Sequence, residues 1–309
     1  MKKIAALRES IKKKKRLAVM FSGGLDSSLL CLIAKKTLGE NAIAVNINSP
    51  VTPSHEKDLV AHFAREIDIK LLTIKLDELN DINFSLNPPD RCYICRKIRQ
   101  RAVRKALSGL GFEIVADGVN LDDLSDYRPG IKAADEDGIW HPFAEHELSK
   151  SELRQAAKEL GLSVWNNEPS PCMCTRFAYG MSLKHADIEK LDSAEEYLRK
   201  LCKGPLRVRC FPLGICLIET NDFNSILNNR TVIADMMRRS GFVFAGLDIE
   251  GFVSGKMNRL LNSPDDKIHK EARKMAKCAK TAASKDAKPA TKKSGCAKSA
   301  KGCGTKKKA

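Results

Sequence analysis

No stretch of this chain approaches the roughly 20 consecutive apolar residues that a membrane-spanning helix needs. A secretory leader is missing too: the basic stretch Met1 to Arg16 runs into an apolar segment of only Leu17 to Phe21 before glycines interrupt it. The chain therefore reads as cytoplasmic, with no membrane partner. The formal charge of +16 is not spread over the molecule. Residues 267 to 309 hold 15 Lys or Arg and 2 acidic residues, which leaves a nearly balanced 39 against 36 in residues 1 to 266. A body without a basic excess argues against a nucleic-acid-binding surface. Attraction to RNA or to an acidic partner is confined to weak binding by the tail. That tail has almost no large apolar side chain to offset the entropy of ordering, and is expected to be disordered. Its Cys278, Cys296 and Cys303 lack the His partners and tight spacing of a metal site. In a cytoplasmic setting the eleven cysteines are expected to be reduced, metal-bound or catalytic rather than disulfide-paired.

The 309 residues, 43% of them hydrophobic, suffice for one large domain or two ordinary ones. The apolar runs Leu17–Phe21, Ala42–Ile47, Lys70–Ile74 and Glu113–Ala116 read as strands. Between them lie helix-period stretches: Leu29 to Lys36, Ser54 to Ile67, and a basic one from Tyr93 to Leu107. Strands alternating with helices predict an α/β fold with a parallel sheet. Ser149-Lys-Ser-Glu152 is a capping box opening a helix that ends near Gly161. Beyond it, Trp165 to Gly180 reads as a functional loop. A helix at Ala186–Leu201 and strands at Leu206–Cys210, Ile215–Glu219 and Phe242–Ile249 predict a smaller α+β unit.

Between the first strand and helix stands Ser22-Gly23-Gly24-Leu25-Asp26-Ser27, followed by Ser28. The glycines let backbone N–H groups approach an anion at a helix start, and the serines add hydroxyl donors. A Walker lysine is absent, which argues against transfer of the terminal phosphoryl group. Asp26 is placed to help hold Mg²⁺ or to orient phosphates. The string resembles the PP-loop signature of ATP pyrophosphatases, which split ATP to AMP and pyrophosphate to activate an oxygen.

Four further strings narrow the choice: Asn87-Pro-Pro-Asp-Arg-Cys-Tyr-Ile-Cys-Arg96; Asp117-Gly-Val-Asn-Leu-Asp-Asp123 running into Asp126-Tyr-Arg-Pro-Gly130; Glu168-Pro-Ser-Pro-Cys-Met-Cys-Thr-Arg176; and Arg207-Val-Arg209 before Glu219. In this order and spacing, over about residues 5 to 250, they resemble the LarE family of ATP-dependent sulfur transferases. That resemblance implies adenylation of pyridinium-3,5-dicarboxylate mononucleotide and its conversion to a thiocarboxylate, for the nickel-pincer cofactor of lactate racemase-type enzymes. It implies catalytic roles for Asp26 and Cys172, with Cys172 the sulfur-donating cysteine. It implies substrate contacts at Tyr93, Lys97, Arg176, Arg207 and Arg209, a metal-binding carboxylate at Glu219, and a homo-oligomer.

The loop departs from the family's usual Pro-Cys-Leu-Ala-Ser-Arg by placing a second thiol at Cys174. Two thiols this close suit a soft metal site, and the resemblance, which includes members holding a 4Fe-4S cluster on three cysteines, implies one on Cys172, Cys174 and Cys210, with Cys202 as the alternative third ligand. Strand alternation sets Cys210 opposite the two arginines. Cys92-x-x-Cys95 lacks a matching pair for zinc and is assigned a structural or substrate-side role. Asp117, Asn120, Asp122 and Asp123 follow a strand end, where ligands gather, and His141 reads as structural. The expected division is 1–165, a PP-loop ATP pyrophosphatase domain; 166–255, a sulfur-transfer domain carrying the cysteine loop; and 256–309, the Lys-rich tail. The rival readings are a PP-loop tRNA thiolase, disfavoured by the balanced body charge, and a non-catalytic adenine-nucleotide sensor.

Overall fold

The structure is a computed structural model that describes residues 2–125, 129–167 and 170–261. In chain order the elements are α1 (Lys2–Lys14), β1 (Leu17–Met20), α2 (Leu25–Leu38), β2 (Ala42–Asn48), α3 (Ser54–Ile67), β3 (Lys70–Lys75), α4 (Ile82–Ser85), α5 (Arg91–Leu107) and β4 (Val115–Ala116). Then follow α6 (Pro129–Glu136), α7 (Pro142–Glu145), α8 (Lys150–Glu159), α9 (His185–Arg199), β5 (Leu206–Phe211), β6 (Ile215–Thr220), α10 (Phe223–Asn228), α11 (Arg230–Arg239) and β7 (Phe244–Leu247).

The first four strands form one parallel sheet in the order β3-β2-β1-β4. Their apolar runs suit strands covered on both faces. Helix α2 is buried nearly all round, with Leu29, Leu30 and Ile33 fully inaccessible; each such side chain contributes about 1.5–3 kcal/mol through burial. From β1 the chain builds outward through β2 and β3, whereas β4 adds on the other side, so the strand order reverses between β1 and β4. Ligands of open α/β sheets settle in the crevice at that reversal.

Two features differ from the sequence reading. Residues 2–14 are not merely a basic stretch: Ile4, Leu7 and Ile11 recur at helical spacing, and α1 buries all three in the first core. The strand expected from Glu113 is regular only at Val115–Ala116, whose outer edge is met by Trp140.

The second sheet pairs β5 with β6 antiparallel and β6 with β7 parallel. Its core is not built from the C-terminal half alone. Val51, Leu79 and Phe84 are buried in the same cluster as Ile188, Leu191, Val208 and Ile218. Backbone bonds seal the junction: Gly180 donates to Asn87 and Leu183 to Ser85, at 2.9 and 2.7 Å. The second core thus draws on the stretch of chain that builds the first sheet. At the C-terminal end, Lys256–Leu261 forms a 3-10 turn, and Lys256 pairs with Asp248 at 2.7 Å. The rest of the expected tail, with Cys278, Cys296 and Cys303, lies outside the described residues.

Candidate active site

The turn after β1 is tight because Gly23 takes φ +79°, and a Cβ there would press on Val60 at 3.3 Å. Ser27 locks the turn: its hydroxyl donates to the Gly24 carbonyl at 3.1 Å and accepts from the Ser22 amide at 3.2 Å. Ser22, Gly24, Asp26 and Ser27 line a cavity of about 310 Å³ at the strand-order reversal. Gly23 shapes the turn from outside that lining. Ser28, expected as another phosphate donor, is instead fully buried in α2 and has no hydrogen-bond partner for its hydroxyl.

Across the crevice, the chain leaving β4 presents Asp117 and Gly118. A Cβ on Gly118 would stand 2.9 Å from Asp26 Cβ and 3.0 Å from the Ser27 nitrogen, so only glycine lets the two loops approach this closely. The Asp26 carboxylate receives Lys150 Nζ at 2.6 and 2.7 Å. Lys150 is the first residue of α8, held there by the capping box in which Ser149 and Glu152 satisfy each other's backbone amides. Asp117 accepts from His141 Nδ1 at 2.6 Å and pairs with Arg96. Burial opposes its charge, but the His141 hydrogen bond and the Arg96 guanidinium outweigh that and hold its carboxyl below the ordinary range. Asn120 is a turn former, its side chain accepting from the amides of Asp122 and Asp123. Asp26 and Asp123 line one cavity as hard oxygen donors, which suits Mg²⁺ held by one or two carboxylates plus phosphate oxygens.

The cysteine turn hangs on this cavity's wall. The Met173 amide donates to the Val51 carbonyl at 2.8 Å, and the next residue, Thr52, lines the cavity. Cys172 caps a 3-10 turn, Met173–Arg176. Arg176 is fully buried beneath it: Nε and Nη2 engage the Glu195 carboxylate at 2.9 and 3.0 Å, and Nη1 donates to the Pro171 and Cys172 carbonyls. Its donors are directed at protein, so it clamps the turn rather than meeting substrate as expected. The neighbouring Cys174 thiol, aided by Arg91, Arg99 and Arg176, holds the Cys172 thiol below its ordinary range against the opposing effect of burial. Cys174 is raised by Cys172 and by its own burial. Arg91, 5% exposed, stacks on Tyr179 at 4.5 Å and faces Cys172, Cys92 and Cys174.

The expected cluster ligands do not assemble. Among the described residues no three Cys, His, Asp or Glu side chains gather as a metal site. Cys210 pairs in register with Cys216 across β5 and β6, and its charged neighbours are Lys190 and Asp187; Cys202 lies toward Asp222. The thiols that share the electrostatic surroundings of Cys172 are Cys174, Cys92 and Cys95. The set Cys172, Cys174, Cys210 or Cys202 is therefore not gathered as a metal site among the described residues. Glu219 is likewise no open metal ligand here: it is 1% exposed and pairs with Arg209 at 2.8 Å.

Arg207 and Arg209 do not lie on a solvated face. Arg209 also donates to the Thr175 carbonyl at 2.8 Å, which binds β5 to the cysteine turn. Burial, and repulsion from Arg176, push Arg207 down to about 10. Tyr93 and Lys97 reach α6, where the Tyr93 hydroxyl donates to Glu136 at 2.5 Å and Lys97 pairs with Glu136 and Asp137 at 2.9 and 2.7 Å. Lys150, Gly118, Arg91, Arg96 and Arg99 were not singled out from sequence. The signal for the arginines is a basic helix whose Arg91, Arg96 and Arg99 flank the Cys92-x-x-Cys95 pair, so that one helix serves both cavity and cysteine turn. Asp126 to Arg128, Glu168 and Pro169 lie outside the described residues.

The asparagine synthase family matches residues 4–167, more than half the chain. The pyridinium-3,5-bisthiocarboxylic acid mononucleotide synthase of Lactiplantibacillus plantarum is 36% identical over 84% of this chain and 95% of its own length. An uncharacterized protein of Synechocystis is 35% identical over 84% and 98%, and one of Methanocaldococcus jannaschii 30% over 81% and 97%. A nucleotide loop, a cysteine turn on its wall and a relative matched nearly end to end place this chain in the LarE family of PP-loop, ATP-dependent sulfur transferases.

Proposed function

We propose that the protein binds ATP in the cavity after β1, adenylates a carboxylate of pyridinium-3,5-dicarboxylate mononucleotide, and replaces AMP with sulfur delivered through Cys172. The observation that carries this reading is the Met173–Val51 hydrogen bond, which ties the cysteine turn to the residue beside Thr52 in the cavity wall. Arg99 supports it, since it both lines the cavity and faces Cys172. A carboxylate becomes a usable electrophile once AMP is its leaving group, and a thiolate is the nucleophilic form of cysteine. The lowered thiol of Cys172 favours the thiolate and adjoins the site where the acyl adenylate would form.

The backbone amides of the Gly23–Gly24 turn and the Ser22 and Ser27 hydroxyls would receive phosphates. Bound Mg²⁺, held by Asp26 and Asp123, would neutralise charge on the phosphate oxygens. Lys150 pairs with Asp26 and orients its carboxylate. Arg207, which burial makes a costly cation, and Lys97 are the proposed partners for the phosphate and carboxylate of the mononucleotide, with Tyr93 beside them. Homo-oligomer formation belongs to the same proposal. It is supported by exposed apolar side chains at the edge of the second sheet, where Leu213, Val243 and Phe244 stand 85, 63 and 67% exposed, and light scattering tests it.

The decisive assay supplies ATP, Mg²⁺ and the dicarboxylate mononucleotide and follows pyrophosphate. Release that depends on the mononucleotide is expected. No release with it, alongside release with unmodified tRNA, would overturn the assignment in favour of a tRNA thiolase.

A further inference from the structure

We propose that Glu78 is a positioning residue whose buried carboxylate aims the Arg99 guanidinium into the nucleotide cavity, where Arg99 holds the acid group of the mononucleotide that is not being adenylated. This rests on the reading of the cavity as the place where the acyl adenylate forms. It adds the pair of residues that tells a dicarboxylate from a monocarboxylate.

Glu78 is wholly inaccessible to solvent, and both of its oxygens are engaged. One accepts from Arg99 Nε at 2.6 Å and the other from the Ser49 hydroxyl. A carboxylate buried this deeply carries a desolvation cost that only its partners offset. Arg99 uses Nε alone on Glu78. Among the described residues its Nη1 and Nη2 have no hydrogen-bond partner, and its side chain, 25% exposed, lines the cavity. The Nη1–Nη2 edge of a guanidinium is a fork that grips a carboxylate through two parallel bonds. Arg96, the other arginine in the lining, is already paired with Asp117.

The same carboxylate fixes where that fork stands. Ser49 Oγ, which donates to Glu78, accepts from the Val51 amide at 3.2 Å, and the Val51 carbonyl holds the Met173 amide of the cysteine turn at 2.8 Å. Arg99 is thereby tied to the wall that carries Cys172, whereas the phosphates of ATP have their donors in the glycine turn. The anion between those two walls belongs to the mononucleotide. Its reacting carboxylate needs a free oxygen to attack the α-phosphorus and displace pyrophosphate, and it gives up its charge in doing so. The other acid group stays anionic throughout, as carboxylate or, once converted, as thiocarboxylate. A guanidinium held still by a buried partner suits it in both forms, and a site built for that group rejects a substrate lacking it.

The test gives the full chain ATP, Mg²⁺ and either the dicarboxylate mononucleotide or pyridinium-3-carboxylate mononucleotide, and takes kcat/KM for each from pyrophosphate release. Glu78→Gln keeps the shape and drops the charge; Arg99→Lys keeps Glu78 paired and removes the fork. Both are expected to lower kcat/KM for the dicarboxylate about tenfold or more, the loss of a charge-assisted hydrogen bond. The monocarboxylate value and the affinity for a non-hydrolysable ATP analogue are expected to change little. Preference for the dicarboxylate then collapses, which a loss of stability alone would not cause. Guanidinium ion, added below denaturing concentrations, is expected to restore the preference to Arg99→Ala but not to Arg99→Ala combined with Glu78→Gln. Folded Arg99→Lys with wild-type preference, or an equal loss for both mononucleotides, would overturn the proposal. Loss of ATP-analogue affinity in step with kcat/KM would also overturn it, by giving Arg99 to the nucleotide phosphates. Equal rescue with and without the Glu78 carboxylate would remove the positioning role. Absence of pyrophosphate from wild type with the dicarboxylate would instead sink the adenylation reading beneath it.

Discussion

At the scale of single residues, charge inside the protein is committed to holding the cysteine turn. Arg176→Met would leave Glu195 buried without its guanidinium, and breaking a buried pair in this way costs about 3–5 kcal/mol. Chemical denaturation should show that loss, with Glu195→Gln giving a comparable one. Arg91 is a different case because its donors are not used up by protein. Arg91→Gln should leave stability nearly unchanged and raise the Cys172 thiol toward its ordinary range. Thiolate fraction rises with pH through the thiol's own pKa, so wild-type alkylation at Cys172 should be near its plateau at neutral pH, while the variant should still be climbing there. A variant profile superimposable on wild type would remove Arg91 from the account. Neither role was readable from the sequence. Spacing put Arg176 in a loop and Arg91 near a thiol pair, but which guanidinium points at a carboxylate and which at sulfur depends on α9 meeting the turn from another part of the chain.

At the scale of elements, most of the map was legible because it rests on period and punctuation. The helix Ser54–Ile67 and the strands at Ala42, Lys70, Leu206 and Ile215 lie where their apolar spacing and turn residues put them. The capping box was legible as a helix start, but its function was not. Its first helical residue, Lys150, stands against Asp26, 124 positions earlier in sequence. The cap therefore aims a cation. Ser149→Ala should cost about 1 kcal/mol, as lost caps do, and should also weaken ATP binding by loosening Lys150; Lys150→Met should weaken binding further with no comparable loss of stability. Gly118→Ala tests the opposing loop. Its methyl would collide with Asp26 Cβ and with the Asp26–Ser27 backbone, so nucleotide binding and the melting temperature should both fall. Isothermal titration with a non-hydrolysable ATP analogue separates the three.

The whole molecule divides less cleanly than the sequence suggested. A boundary near residue 165 follows the change from alternating strands and helices to a loop, which is what local composition can register. The second core nevertheless recruits Val51, Leu79 and Phe84 from the first half. Such recruitment is invisible to local pattern, since those side chains read as ordinary apolar residues in a loop and short helices. Phe84→Ala should cost about 3–5 kcal/mol and lower the thermal stability of both halves together. Two independent calorimetric transitions, with only the later half affected, would show that the shared core does not couple them. The cluster expectation gains no support for a related reason: pairing of β5 with β6 sets Cys210 in register with Cys216, a non-local fact that cysteine counting does not contain.

The pairing of β4 with β1 sets a clock on synthesis. Ala18 waits for Val115 before its side of the sheet closes, and Gly118 meets Asp26 only then. At about 5–20 residues per second on the ribosome, the nucleotide loop is made many seconds before the wall that shapes it. A nascent chain stalled short of that strand should carry the complete glycine motif and yet fail to retain ATP.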